Sequence, residues 1–251
     1  MKDVPSEDHP RETIEYHAFA ARRTAEIRTP PGRPSIGTVL IVSGQAMFGL
    51  DFERPGARRL IDFGTELADG LVDHDFTVIQ PEPFDATRSI DACVEAVSNL
   101  IDTSREHREP GPFAVVGLSV AAPLLAVATR EPVADAFVLV SPPILETYGN
   151  RPDRIDLPLA QELGISPELA ASLGGLAPMH AGASLAARAL VLHGAADDVV
   201  PAADAIGWRA SLAANGVDAA RVEIGFAGHD LDPCRGSAIR AILDYLEPIG
   251  S

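Results

Sequence analysis

Phe113-Ala114-Val115-Val116-Gly117-Leu118-Ser119-Val120-Ala121-Ala122 reads as a buried strand, a tight turn of small residues and the start of an alanine-rich helix. The run from Phe113 to Val116 is continuously apolar, the pattern of a parallel strand covered on both faces. A serine at the tip of so sharp a strand-to-helix turn is pushed out at the carboxyl end of its sheet. Small neighbours are needed there because two backbones crowd together. The plainer alternative is a serine that only caps the helix.

Working outward, the same kind of apolar run recurs at Val39-Leu40-Ile41-Val42, Phe76-Thr77-Val78-Ile79, Ala136-Phe137-Val138-Leu139-Val140, Ala189-Leu190-Val191-Leu192 and Val222-Glu223-Ile224. Between the runs, Leu60, Ile61, Gly64, Leu67, Ala68 and Leu71 recur at helical spacing, as do Ile90, Cys93, Val94, Val97, Leu100 and Ile101 after a possible N-cap at Ser89. Further helices run from Ala202 to a stop at Asn215-Gly216 and from Ser237 to Leu246. This alternation predicts an α/β fold with a mostly parallel, doubly wound central sheet. Ile14 to Ala20 and Thr24 to Arg28 read as a strand pair that would add an antiparallel edge, and residues 1–11 as a loose arm. The interval 142–187 breaks the rhythm; its prolines, leucines and short helical pieces predict a small helical lid over a single domain spanning 1–251.

The chain of 251 residues carries a formal net charge of -16, with acidic residues spread along its length, a field that repels phosphate backbones and argues against a nucleic-acid partner. Hydrophobic residues make up 46% and charged residues 22%, the profile of a globular domain. No apolar run approaches the ~18 residues of a membrane span, and the first residues have no apolar leader core, so a cytoplasmic protein is expected. Cys93 and Cys234 are too few and too far apart to indicate a disulfide framework or a zinc site, and the histidines show no ligand spacing, so no metal or other cofactor is expected.

Two more stretches carry possible chemistry. Ala189-Leu190-Val191-Leu192 runs into His193-Gly194-Ala195-Ala196-Asp197-Asp198-Val199-Val200-Pro201, and Ile224 leads through Gly225-Phe226-Ala227 to Gly228-His229-Asp230. Taken alone, the first could be an exposed acidic turn and the second a surface histidine.

Together with the serine turn, these stretches resemble the α/β-hydrolase superfamily: a nucleophile elbow whose usual last glycine is Ala121, an acid-bearing loop and a Gly-His segment, in the chain order Ser, Asp, His. The resemblance runs from about Val39 to the C-terminus. It implies Ser119 as nucleophile, Asp197 as the acid that orients the histidine, with Asp198 the alternative if the loop is shifted by one, and His229 as base. It further implies an oxyanion hole of two backbone N–H groups, from Val120 and from Gln45 in Val42-Ser43-Gly44-Gln45-Ala46. His193 is read as part of the loop scaffold. The expected activity is hydrolysis of an ester or thioester acyl substrate, a small molecule free or carrier-bound. Val42-Ser43-Gly44-Gln45-Ala46, the altered elbow and His229-Asp230-Leu231 faintly resemble the acyl-carrier thioesterases of luminous bacteria. The same fold also hosts lyases, such as one eliminating acetate in natural-product tailoring, and idle relatives that only bind a small ligand.

Overall fold

The structure is a computed structural model, and it describes residues 9–43, 55–82, 90–128, 133–144 and 186–250. The strands are β1 Arg11–Ala18, β2 Ala21–Arg28, β3 Gly37–Ser43, β4 Phe76–Pro81, β5 Phe113–Leu118, β6 Ala134–Val140, β7 Ala186–Gly194 and β8 Asp218–Ile224. The helices are α1 Pro55–Asp73, α2 Ile90–Glu106, α3 Ala121–Ala128, α4 Ala202–Ala214 and α5 Arg235–Gly250. One eight-stranded sheet runs in the order β1-β2-β4-β3-β5-β6-β7-β8. Strands β3 to β8 pair in parallel, whereas β1 pairs with β2, and β2 with β4, antiparallel.

Side-chain alternation along the central strands divides the interior into two layers. Leu40, Val42, Phe113, Val115, Phe137, Leu139, Ala189 and Val191 point to the layer covered by α2, α3 and α4. Val39, Ile41, Ala114, Val116, Leu118, Val138, Val140, Leu190 and Leu192 point to the layer covered by α1 and α5. Both faces are thus dry, which is why β3 and β5 are buried along their whole length and read as unbroken apolar runs at Val39–Val42 and Phe113–Val116. Helix α3 is apolar and buried on nearly every side.

The antiparallel edge forms as expected, but its turn falls at Phe19–Ala20, with both residues at positive φ, 55° and 56°. That is the backbone a two-residue hairpin requires, supplied here without the usual Asn or Gly. Arg28, buried at the end of β2, pairs with Glu26 and with Asp69 at 2.9 Å, which joins this edge to α1. Strand β1 begins at Arg11, the last residue of the expected arm. Strand β7 takes up 186 and 187, so the expected lid, apart from the ends of the interval, lies outside the described residues. The end of β6 is held firmly where the chain leaves the sheet: Trp208 Nε1 donates to the Pro143 carbonyl at 3.0 Å, and Ile144 N–H to the Asp204 carboxylate at 2.8 Å.

Candidate active site

Ser119 follows β5 directly and has φ 53°, the left-handed region that an L-residue enters only when its surroundings demand it. Its N–H donates to the Val140 carbonyl at 2.8 Å, and its own carbonyl accepts from Ala122 N–H at 3.0 Å, so the turn is closed from both sides. Gly117 lets α3 fold back this tightly, because a Cβ there would meet the Ala122 Cα at 2.7 Å and Leu125 Cδ1 at 2.9 Å. The serine hydroxyl is thereby presented at the carboxyl end of the sheet while the residue stays buried.

Asp197 lies in the loop after β7. Its Oδ1 accepts from Val199 N–H at 2.9 Å and Val200 N–H at 2.8 Å, which fixes the carboxylate and leaves Oδ2 to face His229. His229 lies in the loop after β8, and the two loops are joined by backbone bonds from Ala195 N–H to the Ile224 carbonyl at 2.9 Å and from Ala196 N–H to the Ala227 carbonyl at 2.8 Å. Gly194 lets them meet, since a Cβ on it would lie 2.4 Å from both the Ala227 and the Gly228 carbonyl oxygens. Gly194→Ala is therefore expected to force the loops apart and cost about 1–3 kcal/mol or more, as in other overpacked sites, measured by urea unfolding against the parent chain. An unchanged midpoint and slope would show that the loops absorb the methyl group.

Ser119 Oγ lies 3.0 Å from His229 Nε2, and His229 Nδ1 lies 2.9 Å from Asp197 Oδ2. Residues 110 and 32 positions apart in the chain thus form one continuous hydrogen-bonded line. Asp197 has a fully buried side chain, whereas Asp198 is exposed. Burial works to raise the Asp197 pKa, but the hydrogen bond and charge of His229, the Val200 N–H and His193 outweigh it and hold the carboxyl below its ordinary value. Ser141, left-handed at φ 46° and also buried, donates to the His229 carbonyl at 3.4 Å.

A second histidine stands against the same carboxylate. His193, fully buried near the end of β7, donates from Nε2 to the Val200 carbonyl at 3.0 Å and lies 3.5 Å from Asp197 Oδ2. Its Nδ1 is buried with no hydrogen-bond partner among the described residues, which costs on the order of 1–3 kcal/mol. Burial pushes the His193 pKa down; Asp197 and the Val200 carbonyl work against that shift, while His229 and Arg221 add to it. The native chain thus resists a proton that the unfolded chain accepts below about pH 6.5, so stability present above that pH is lost as pH falls. Melts at pH 7 and pH 5 are expected to show a smaller acid-induced loss in His193→Gln than in the parent chain. Equal losses would mean that other groups dominate.

The three residues expected from sequence are thus brought together. Of the two expected oxyanion donors, Gln45 lies outside the described residues, and Val120 sits at the turn leading into α3, where its N–H has no backbone partner among the described residues. The Ser119 N–H is already committed to Val140. Sequence reading gave no role to Ser141 or Gly194 and did not find the His193 contact with Asp197. His193-Gly194 was visible as the start of the acid loop, but nothing in its spacing reports a loop that approaches through space. A recess of about 190 Å³ at the carboxyl ends of β3 and β4 is bordered by Arg28, Ser43, Gln80 and Glu82 and not by the three aligned side chains.

Strand order, helix layers and the strained serine turn together define the α/β-hydrolase fold, and comparison with solved structures gives the same result. The chain superposes on Est1E from Butyrivibrio proteoclasticus with a TM-score of 0.67 at 11% identity, covering 94% of this chain and 98% of that one. A Xanthomonas campestris protein described as a member of a/b serine hydrolase without lid gives 0.65 at 13% identity, covering 95% and 94%. A thermophilic esterase from the Planctomycetes species Thermogutta terrifontis, with propionate bound, gives 0.68 at 17% identity, covering 98% and 96%. No protein-family model matches the chain, and no curated protein does.

Proposed function

We propose that this chain is a serine hydrolase that cleaves an ester or thioester, free or carrier-bound, through an acyl-enzyme on Ser119. The observation that carries the reading is the unbroken line from Ser119 Oγ through the His229 ring to Asp197 Oδ2, at 3.0 and 2.9 Å. A serine hydroxyl is a weak nucleophile at its ordinary pKa, so a base must remove its proton as it attacks the acyl carbon. His229 Nε2 lies within reach of that proton and returns it to the leaving group, and Asp197 holds Nδ1–H toward itself and stabilises the imidazolium that forms. The Val120 N–H, at the positive end of α3, supplies one donor to the tetrahedral oxyanion. The second donor is assigned to Gln45. Water then attacks the acyl-enzyme with the same histidine as base and releases the acid.

That the solved structures named above include esterases supports the choice of reaction, as the aligned groups support the choice of residues. Cys93 and Cys234 are not joined in a disulfide, which fits a cytoplasmic setting, and no described helix is long and apolar enough to cross a membrane. The test is intact-mass measurement after incubation with a fluorophosphonate, beside Ser119→Ala. One adduct on the parent chain and none on the variant is expected. No adduct on either would sink the reading.

A further inference from the structure

We propose that His193 is a positioning residue that holds the Asp197 carboxylate in line with the His229 ring, a role that rests on the serine-hydrolase reading above. The contacts close a ring. Val200 N–H donates to Asp197 Oδ1 at 2.8 Å, the Val200 carbonyl accepts from His193 Nε2 at 3.0 Å, and the same Nε2 lies 3.5 Å from Asp197 Oδ2. The acid loop is thereby tied through the Val200 peptide to a side chain on β7, a strand hydrogen-bonded on both edges, and that side chain also stands against the second carboxylate oxygen. Oδ2 is the oxygen that faces His229, so the buried His193 ring standing 3.5 Å from it limits rotation of the carboxylate away from the base.

The other end of the ring argues that this is more than core filling. Nδ1 gains nothing from its site, being buried without a partner among the described residues. An apolar side chain would fill the same space without desolvating a nitrogen, so the only polar gain from histidine here comes at Nε2. Asp197 and His229 face the ring from the two loops, and Arg221 from β8, and only Asp197 and the Val200 carbonyl can accept its proton.

The test compares the second-order rate of fluorophosphonate labelling in the parent chain, His193→Leu, His193→Gln and His193→Asn, with thermal melts of each. A glutamine amide nitrogen can reach the place of Nε2, while that of asparagine reaches only the place of Nδ1. His193→Leu and His193→Asn are expected to label about 10- to 100-fold more slowly, the scale of a small misplacement of reacting groups. His193→Gln should stay within about threefold of the parent rate, a near-complete rescue on a transition-state scale. With p-nitrophenyl acetate the loss should fall on kcat and leave KM in place. If His193→Leu does not fold, the Gln and Asn pair decides. Parent-like labelling of His193→Asn, or a folded His193→Gln as slow as His193→Asn, overturns the proposal. Absence of labelling in the parent chain overturns the serine-hydrolase reading beneath it.

Discussion

Ser119→Ala is expected to lower ester turnover by on the order of 10⁴–10⁶-fold, the loss seen when the nucleophile of a serine triad is removed. What survives is catalysis by the oxyanion donors and by substrate binding, which do not depend on the hydroxyl. The protein should still fold. The bonds that close the turn, Ser119 N–H to Val140 and Ala122 N–H to the Ser119 carbonyl, are made by backbone and persist in alanine. Only Oγ is lost, leaving a gap the size of one atom and a free Nε2 on a histidine whose side chain is 11% exposed and can be hydrated. A melting temperature close to that of the parent is therefore expected, since alanine keeps the same left-handed backbone and the freed ring nitrogen can bond water. Turnover retained in a folded Ser119→Ala protein would show that the left-handed turn is structural only.

Asp197→Asn is expected to lower kcat by on the order of 10⁴-fold, through the wrong imidazole tautomer. The amide cannot choose its orientation freely. Asp197 Oδ1 accepts two backbone N–H groups, from Val199 and Val200, so the asparagine oxygen must stay there and its NH₂ must take the place of Oδ2. That NH₂ then faces His229 Nδ1 and stands near His193 Nε2, where it can donate only if His229 moves its proton to Nε2. A ring protonated at Nε2 and neutral cannot accept the serine proton. Asp198→Asn, on an exposed neighbour, is expected to leave kcat within about twofold of the parent, the scale of an ordinary surface change. Steady-state assays with p-nitrophenyl acetate decide between them. The reverse pattern would place the orienting acid one residue further along.

How far the sequence could be read depended on which physical constraint shaped each part. Strands β3, β5 and β6 were legible because layers on both faces favour apolar side chains along their central residues. Strand β8 was read only from Val222 to Ile224, because its first residues, Asp218 to Arg221, belong to an edge with solvent on one side and carry no apolar run. The hairpin turn at Phe19–Ala20 was misplaced because its positive φ values are adopted by residues with no preference for them. Ser119, Asp197 and His229 could be found because each lies just past a strand, within two residues of a glycine or alanine that precedes it in a short local pattern. The contacts that hold them could not. Gly194 against Ala227 and Gly228, and Ser141 against the His229 carbonyl, join segments 33 residues or more apart, and no local spacing records such approaches.

The separation of the three aligned residues along the chain has a consequence for how activity would arise during folding. Ser119 is placed by β5 and its flanking strands β3 and β6, all contributed by the first 140 residues, whereas His229 follows the strand that is added last to this side of the sheet. A contact across 110 residues cannot form by local collapse, since closing so long a loop costs entropy that only the intervening pairings of β6, β7 and β8 repay. The serine can therefore occupy its strained turn in a half-assembled sheet and remain chemically silent. On the proposed function, a chain with only the strands up to β6 in place would hold the serine turn without the base that activates it.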